Sequence, residues 1–347
     1  MGRLSGIEIY DINSVEWNGI LSAFHADMQD IYYTAEYHAL YERIFDSKAE
    51  LFVYREEDMV GVYPYLKTEI KRDYLEIPFY DIETVYGYGG PLVSCADSGF
   101  ADRFEQAFVD YCKESNIVAE FVRFHPVLRN EGTFKEINVL HNRMTISVDL
   151  SVSEDDIWNH QLSSGNRNVI RKCIKNGLYV ERTNDYRPFY EIYKETMQRV
   201  GAKSFYYFDE DMVKAMAEDK NYTFLVCKKD EEILASAIFM GYGSYYHYHL
   251  SGSHRDAMKY NPNNLLLWEA IKHGKQQGHK IMHLGGGLSD SMEDNLYKFK
   301  AHFSKTCNDF YIGKRIHNND VYEKLIDEWK QKTGKKPVKL LQYKEME

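Results

Sequence analysis

The chain has 347 residues, of which 44% are hydrophobic and 28% are charged, so it can form two domains that each bury a core. The net charge of −10 argues against a dedicated nucleic-acid-binding protein, although it does not exclude a local basic groove. No segment approaches the roughly 20 apolar residues of a membrane span. The five cysteines are scattered without metal or redox spacing, so we expect a cytoplasmic protein with no membrane span and no metal site.

The first part of the chain has the pattern of an α+β domain. Its apolar periodicity predicts a helix, three strands of an antiparallel meander, a second helix and a further strand. In chain order these elements are predicted at residues 36–46, 50–56, 59–69, 85–94, 100–115 and 117–124.

The same order of elements begins again at about residue 145. A strand and two helices lead into a second meander, which is followed by a helix and a strand, at residues 145–151, up to 176, 185–199, 221–230, 232–241, 244–253, 265–278 and 279–286. The repetition predicts two α+β domains related by duplication, at residues 1–145 and 146–317. Val321, Leu325 and Trp329 then recur on one face of a helix, so we expect the segment 318–347 to pack on the first domain.

The run HLGGGLSD contains three consecutive glycines, Gly285 to Gly287. It lacks the Gly-Lys-Ser/Thr of a nucleoside-triphosphate loop and the G-x-G-x-x-G of a dinucleotide site. We therefore expect a turn that ends a strand, where the backbone can come close to a ligand. In the helix predicted behind it, Lys298 and Lys300 flank an apolar seam, and periodicity does not distinguish between them.

The segment NRNVIRKCIKNG predicts a basic helix that ends at a glycine. Arg167, Arg171 and Lys175 recur every four residues, and Lys172 lies beside them. This stripe is either a solvated face or a binding site for phosphate groups.

The strand SYYHYHLSGS alternates, which predicts Tyr248 on one face and His247, His249 and Ser251 on the other. The two histidines lack a third ligand at a telling distance, so hydrogen bonding or proton relay is favoured over metal binding. After this strand, Asn263 or Asn264 is expected to cap a helix and expose its N-terminal amides.

The order of strand, loop, capped helix and strand resembles the core of the GNAT acyltransferase superfamily. The loop HRDAMKYNPNN lacks the Q/R-x-x-G-x-G/A of that superfamily, which argues against ordinary acyl-CoA binding. The resemblance is closer to the FemABX-like branch, which consists of two GNAT-like domains. NRNVIRKCIKNG, VYGYGGPLVS, HYHLSGS, PNNLLLWEAI, HLGGG and LYKFKAHF follow the order of that branch, although the coiled-coil insertion of some members is missing.

The resemblance implies two tandem GNAT-like α+β domains and N-acyl or aminoacyl transfer to an amine. Acyl-CoA or aminoacyl-tRNA would serve as co-substrate, with no permanently bound cofactor. The acceptor would be a nucleotide- or lipid-linked cell-wall precursor. A non-catalytic binding protein for nucleotide-linked sugars is the alternative, and the oligomeric state stays open.

The resemblance also implies roles for individual residues. Lys300, in the Phe-Lys pair, would stabilise developing negative charge or the acyl donor, Ser251 would lie at an oxyanion donor, and His249 or a water beside it would accept a proton. The residues expected to contact substrate are Arg167, Arg171, Lys172, Tyr88, Gly89, Tyr248, Asn264, Gly285, Gly286 and Phe299.

Overall fold

The computed structural model describes residues 6–202 and 207–345. Within them the chain forms two compact units: residues 6–28, 32–142 and 309–345 make up the first, and residues 29–31 and 143–308 the second. Residues 346 and 347 of the predicted C-terminal segment lie outside the described residues.

The first unit is built on a mostly antiparallel sheet. Its strands are β1 (Gly6–Asp11), β2 (Lys48–Glu56), β3 (Met59–Glu69), β4 (Tyr80–Glu83), β5 (Leu92–Val93), β6 (Ile117–Arg123) and β13 (Thr306–Ile316, from Asp309 onward). Its helices are α1 (Glu16–Leu21), α2 (Ala35–Ile44), α3 (Ser98–Glu114) and α10 (Asn319–Thr333). The strand order is β1-β2-β3-β4-β6-β13, with β5 on β3. Strands β4 and β6 run parallel because α3 carries the chain back between them.

The second unit repeats this plan. Its strands are β7 (Asn138–Asp149, from Arg143 onward), β8 (Tyr179–Thr183), β9 (Tyr222–Lys229), β10 (Glu232–Tyr242), β11 (Tyr245–Ser253) and β12 (Ile281–Gly286). Its helices are α4 (Glu154–Asp156), a π-helical turn (Ile157–Gln161), α5 (Ser164–Lys175), α6 (Arg187–Arg199), α7 (Glu210–Glu218), α8 (Pro262–Gln276) and α9 (Asn295–Ala301). The strand order is β8-β9-β10-β11-β12-β7, and α8 connects the parallel pair β11 and β12.

Apolar side chains at helical spacing build the core of the first unit. Phe100, Phe104 and Phe108 on α3 are buried against Phe52 of β2. Gly61 on β3 leaves room for this face, because a Cβ atom there would lie only 2.6 Å from the ring of Phe104. The packing of this core therefore requires a glycine at position 61 opposite the large ring of Phe104.

Helix α10 buries the face that its spacing predicts. Val321, Leu325 and Trp329 pack together with Ile70 and Val118 of the first unit. Asn318 caps the start of this helix through its side chain.

Two strands pair with partners that are far from them in the sequence. Strand β7 follows the first unit's β6 but pairs with β12, and β13 follows the second unit but pairs with β6. The prediction assigned residues 309–317 to the second domain, whereas these residues lie in the first unit. The pairing of Ile312–Ile316 with β6 is the reason, and it involves residues almost 200 positions apart that no local pattern connects.

The segment predicted as a strand at residues 85–94 is mostly a turn. Gly87 and Gly90 have φ angles of +98° and +97°, which other residues rarely adopt, and only Leu92–Val93 form a strand. Strands β1, β8 and β13 and helices α1 and α7 were not predicted. None of the helices in the described residues combines the length and apolar character needed to cross a bilayer.

Candidate active site in the second unit

Strands β11 and β12 separate part-way along their length. Their parallel pairing joins Tyr245–His247 to Ile281–His283, and no further pair joins them in the part of the chain that the structure describes. Beyond these residues the parallel ladder is not continued, so the facing strand edges offer a place where an extended ligand can pair.

The corresponding parallel pair of the first unit stays joined. Past the ladder between β4 and β6, the Thr84 amide donates to the Phe121 carbonyl at 3.1 Å. The Gly89 amide donates to the Arg123 carbonyl at 2.8 Å. The opening between parallel strands is therefore a feature of the second unit.

A β-bulge places His249 at the start of this opening. Phe239 of β10 lies opposite Tyr248, and the preceding Ile238 lies opposite Leu250, so His249 is the extra residue. Tyr248 and Ser251 consequently share one face, and the Tyr248 hydroxyl donates to Ser251 Oγ at 2.6 Å. The prediction of these two residues on opposite faces is wrong, because strict alternation does not account for a bulge.

Lys300 is a buried cation beside this opening. It is 7% exposed, whereas Lys298 on the same helix is exposed. Lys300 Nζ donates to the Gly286 carbonyl at 2.7 Å and lies 5.8 Å from the centre of the Tyr248 ring. The structure thus brings Lys300, Gly286, Tyr248 and Ser251 together.

Desolvation sets the protonation of Lys300. Burial lowers the pKa of its ammonium from 10.5 to about 7, the negative charge of Asp294 partly opposes this shift, and the positive charge of Arg143 adds to it. Near neutral pH the charged and neutral forms of this group are both populated, and an anionic ligand would stabilise the charged form.

The three glycines lie at the end of β12, as predicted: Gly285 and Gly286 are its last two residues, and the chain turns at residues 288–290, after Gly287. Gly285 has a φ angle of +75°, and a Cβ atom on Gly286 would lie 2.7 Å from the Met144 carbonyl oxygen. The Gly287 carbonyl accepts a hydrogen bond of 2.6 Å from Arg143 Nη1. Close backbone packing therefore explains the glycines, and it fixes the carbonyl of Gly286 that holds Lys300.

Asp294 connects this turn to α9. Its Oδ1 accepts from the amides of Leu296 and Tyr297 at 2.9 and 3.0 Å, and its Oδ2 accepts from Leu288 and Ser289 at 3.0 and 3.1 Å. Desolvation raises the pKa of this carboxyl, but the amide hydrogen bonds outweigh that effect and lower it below its usual value. Asp294 thus caps the helix that carries Lys300 and fixes its first turn.

A carboxylate–histidine pair lies behind the opening. His247 Nε2 is 2.8 Å from Oδ2 of Asp30, and both side chains are buried. The ring of His247 also meets that of His283 edge-on, with centroids 5.8 Å apart. His247 and His283 are the last paired residues of β11 and β12, so this pair lies where the strands begin to diverge.

His249 is half-buried beside the bulge. Burial lowers the pKa of its imidazole to about 3, with a smaller contribution from His247. The neutral ring is therefore present at physiological pH, but it is a weak proton acceptor in the ligand-free protein.

The basic stripe of α5 divides into two kinds of residue. Arg167 Nη1 donates to the carbonyls of Trp158, Asn159 and Leu162 at 3.2, 3.1 and 2.6 Å, so it completes the π-helical turn. Arg171 and Lys172 are exposed. A structural role thus occupies one nitrogen of Arg167, while phosphate binding by all three cations stays a prediction.

Asn264 does not cap α8 as predicted. The helix begins at Pro262 after Asn261, whose φ angle is +54°, so Asn263 and Asn264 lie within its first turn. Pro262 is favoured at this first position because its fixed φ angle suits a helix. Asn264 Nδ2 instead donates to Asn166 Oδ1 at 2.8 Å, which ties α8 to α5.

The remaining predicted substrate contacts, Tyr88, Gly89 and Phe299, have structural contacts within their own units. In the first unit, Tyr88 is half-buried, with its ring 5.1 Å from that of Phe310, and the Gly89 carbonyl accepts from Asn130 Nδ2 at 2.8 Å. In the second unit, Phe299 packs against the core and against Phe303. Their contacts with substrate stay predictions.

Sequence analysis missed Asp30, Arg143 and the connecting role of Asp294. An acidic residue just before a predicted helix is a capping signal, so Asp294 could have been found. Arg143 and Asp30 carry no local signal, because each meets its partner across a long separation in the chain.

Comparison with known sequences finds similarity to acyltransferases. Residues 164–298 match a family model described as an acetyltransferase (GNAT) domain. The chain is also 23% identical, over 270 residues, to a UDP-N-acetylmuramoylpentapeptide-lysine N(6)-alanyltransferase of Weissella viridescens. That alignment covers 71% of this chain and 80% of the relative.

Solved structures share the fold. FemX superposes with a TM-score of 0.69 at 17% identity, over 91% of this chain and 99% of FemX. The C-terminal domain of a putative lysylphosphatidylglycerol synthetase from Agrobacterium fabrum gives a TM-score of 0.54 at 14% identity, over 87% and 90% of the two chains. The predicted fold class, two tandem GNAT-like α+β domains, is confirmed.

Proposed function

We propose that this chain, a FemABX-like acyltransferase of the GNAT superfamily, transfers an aminoacyl group from aminoacyl-tRNA to an amine of a nucleotide- or lipid-linked cell-wall precursor. The observation that carries the proposal is Lys300, buried where β11 and β12 diverge, with its Nζ 2.7 Å from the Gly286 carbonyl. A buried cation of lowered pKa at an opening for an extended ligand suits a reaction that develops negative charge. The alanyltransferase relative supports this class of acceptor.

The proposed reaction replaces an ester with an amide. The acceptor nitrogen attacks the ester carbonyl, a C–N bond forms, and the C–O bond to the terminal ribose breaks. The proton of the amine passes through a base to the departing ribose oxygen. Lys300 and the backbone near Ser251 stabilise the oxyanion, and the imidazole of His249, which burial keeps neutral, relays the proton directly or through a water beside it.

The start of α8 favours an ester donor over acyl-CoA. A diphosphate at this position would need free amides in the first turn. Pro262 has no amide hydrogen, and the Asn264 amide donates to the Asn261 carbonyl at 3.1 Å. This turn therefore offers few donors to the diphosphate of coenzyme A, in line with the missing glycine motif.

The reaction is proposed to occur in the cytoplasm, where thiols stay reduced. The five cysteines are all free. The acceptor would be the UDP-linked peptide precursor that the relative's name specifies, or a lipid-linked form of it.

The test is a transfer assay with purified protein and UDP-N-acetylmuramoyl pentapeptide containing lysine. Alanyl-tRNA and acetyl-CoA are compared as donors, and mass spectrometry identifies the product. We expect one aminoacyl residue on the lysine amine with alanyl-tRNA. Transfer from acetyl-CoA alone would replace the proposed donor, and saturable binding of the precursor without transfer from either donor would favour the alternative, a binding protein.

A further inference from the structure

The exposed side of α5 is strongly basic within an acidic protein. Residues 157–180 contain no Asp or Glu but include Arg167, Arg171, Lys172 and Lys175, while the whole chain carries a net charge of −10. Arg171, Lys172 and Lys175 are exposed. Within the described residues, the guanidinium of Arg171 donates one hydrogen bond, to Asn168 Oδ1 at 3.1 Å. Three like charges on one helix repel one another, so an anionic ligand would relieve a cost.

Aromatic rings lie among these cations at one side of α5. The guanidinium of Arg171 lies 5.3 Å from the centre of the Trp158 ring, and this half-buried ring packs on Trp268 with centroids 4.8 Å apart. Lys272 lies 5.9 Å from the centre of the Trp268 ring. The aromatic pair therefore holds Arg171 and presents an aromatic edge beside it.

A second aromatic and cationic group lies at the other side of α5. Cys173 Sγ is 3.2 Å from the Tyr260 carbonyl, which joins α5 to the loop before α8. The ring of Tyr260 lies between two cations, with Lys259 Nζ at 5.1 Å and Lys229 Nζ at 5.6 Å from its centre. Trp158 and Tyr260 are thus two aromatic rings near α5, and each of them is in contact with at least one cation.

We infer that Arg171, Lys172, Lys175, Lys259, Trp158 and Tyr260 form a docking surface, here called the α5 surface, for the RNA backbone of the aminoacyl donor. Cations that meet phosphates, interleaved with rings on which bases stack, are the combination by which proteins hold single-stranded RNA. An anionic lipid surface would also meet cations and rings, so binding to lipid vesicles is measured as the competing outcome. The inference rests on the proposed use of aminoacyl-tRNA.

The α5 surface is connected to Lys300 through the end of α9. The Ser163 amide, at the start of α5, donates to the His302 carbonyl at 2.9 Å. Asn166 Nδ2 donates to the same carbonyl at 3.3 Å. An RNA bound along α5 would therefore lie against the helix pair that carries the reactive end of the site.

The experiment removes three cations and compares a matched control. The test variant carries Arg171→Gln, Lys172→Gln and Lys175→Gln, because glutamine keeps a good helix propensity. The control carries Lys194→Gln, Lys214→Gln and Lys220→Gln, which removes three exposed cations elsewhere in the second unit. Both variants change the net charge equally, so a difference between them reports on position.

Binding of alanyl-tRNA is measured by fluorescence anisotropy over a range of salt concentrations. For the test variant we expect Kd to rise about tenfold or more. The slope of log Kd against log salt concentration should become shallower by about two to three, since each lost phosphate contact contributes roughly 0.7–0.9 to that slope. The KM for alanyl-tRNA should rise with kcat unchanged. With an alanylated dinucleotide, which lacks the rest of the RNA, the two variants should differ far less than with alanyl-tRNA.

The outcomes separate this inference from the proposed function. Transfer from alanyl-tRNA by the wild type, with equal tRNA binding by both variants, would overturn the α5 surface and leave the function standing. Tight tRNA binding through α5 without any transfer would overturn the proposed donor alone. Loss of binding to phosphatidylglycerol vesicles, with tRNA binding retained, would assign the surface to a membrane and also contradict the inference.

Discussion

Lys298 and Lys300 lie two residues apart on α9, and their surroundings differ completely. Lys298 is exposed and pairs with Glu293, whereas Lys300 is buried against the Gly286 carbonyl. Helical periodicity leaves the two equivalent, and the resemblance to FemABX-like proteins selects Lys300. Burial gives a physical reason for that selection, because a desolvated ammonium interacts strongly with developing charge.

Substituting each of these lysines by methionine tests the role of Lys300. We expect Lys300→Met to lower kcat by at least about 100-fold, the range for loss of one stabilising group at an oxyanion. Lys298→Met should retain wild-type turnover. The apolar side chain also removes a buried charge, so thermal unfolding of Lys300→Met should differ little from wild type. Full activity of Lys300→Met would contradict the role.

The pH dependence of kcat/KM provides a second test of Lys300. Its pKa is about 7 in the folded protein, against 10.5 unperturbed, so the ammonium form is lost as pH rises through about 7. Because kcat/KM reflects the free enzyme, we expect it to fall over this range. Lys300→Arg keeps its charge and should not show this fall.

The lowered pKa of Lys300 also predicts a pH dependence of the free energy of unfolding, which can be measured without an activity assay. Between pH of about 7 and 10.5 the unfolded chain binds a proton at Lys300 that the folded protein does not. The free energy of unfolding should therefore rise with pH in that window relative to Lys300→Met. Parallel stability curves for wild type and Lys300→Met would contradict the lowered pKa.

At the scale of elements, strand β11 shows how one residue changes a face. The bulge at His249 moves Ser251 to the side of Tyr248, where the two hydroxyl groups bond. The sequence analysis predicted the strand but not the bulge, because a bulge depends on the register with β10.

Arg315 on strand β13 lies between two buried carboxylates. In the described residues, no other guanidinium forms ion pairs with two buried carboxylates. Arg315 donates to Glu105 of α3, and its Nε is 3.7 Å from Oε2 of Glu120 on β6. His317 Nε2 lies 3.2 Å from the same Glu120 oxygen. This cluster joins β13 to a helix and a strand that lie about 200 residues earlier in the chain.

Replacing Arg315 by methionine should destabilise the first unit. The change leaves Glu105 and Glu120 buried without their guanidinium partner, which typically costs about 3–5 kcal/mol. Lys314→Met, on the same strand but without such partners among the ion pairs of the described residues, should change the free energy of unfolding by less than about 0.5 kcal/mol. Chemical denaturation measures both.

A partial rescue identifies the cause. Glu105→Gln added to Arg315→Met removes one uncompensated charge and should restore part of the stability. Equal stability of the Arg315→Met and Lys314→Met proteins would contradict the buried cluster.

At the scale of the whole molecule, one plan occurs twice with different outcomes. In both units a meander is followed by a helix and a parallel strand. In the first unit the parallel pair stays joined past Thr84, and in the second it opens after His247. The same order of elements therefore occurs in one unit with a candidate acyl-transfer opening and in one whose described parallel strands stay joined.

The sequence by itself determined the class of fold, the two repeated sets of elements and the candidacy of Lys300. The first two follow from apolar periodicity and glycine positions, which are local properties of the chain, and the third follows from the resemblance of the ordered motifs to those of FemABX-like proteins. Only the tertiary structure decided which unit opens, where β7 and β13 pair, how deeply Lys300 is buried and that Asp30 meets His247. These features depend on strand register and on contacts between distant residues, which local patterns do not encode.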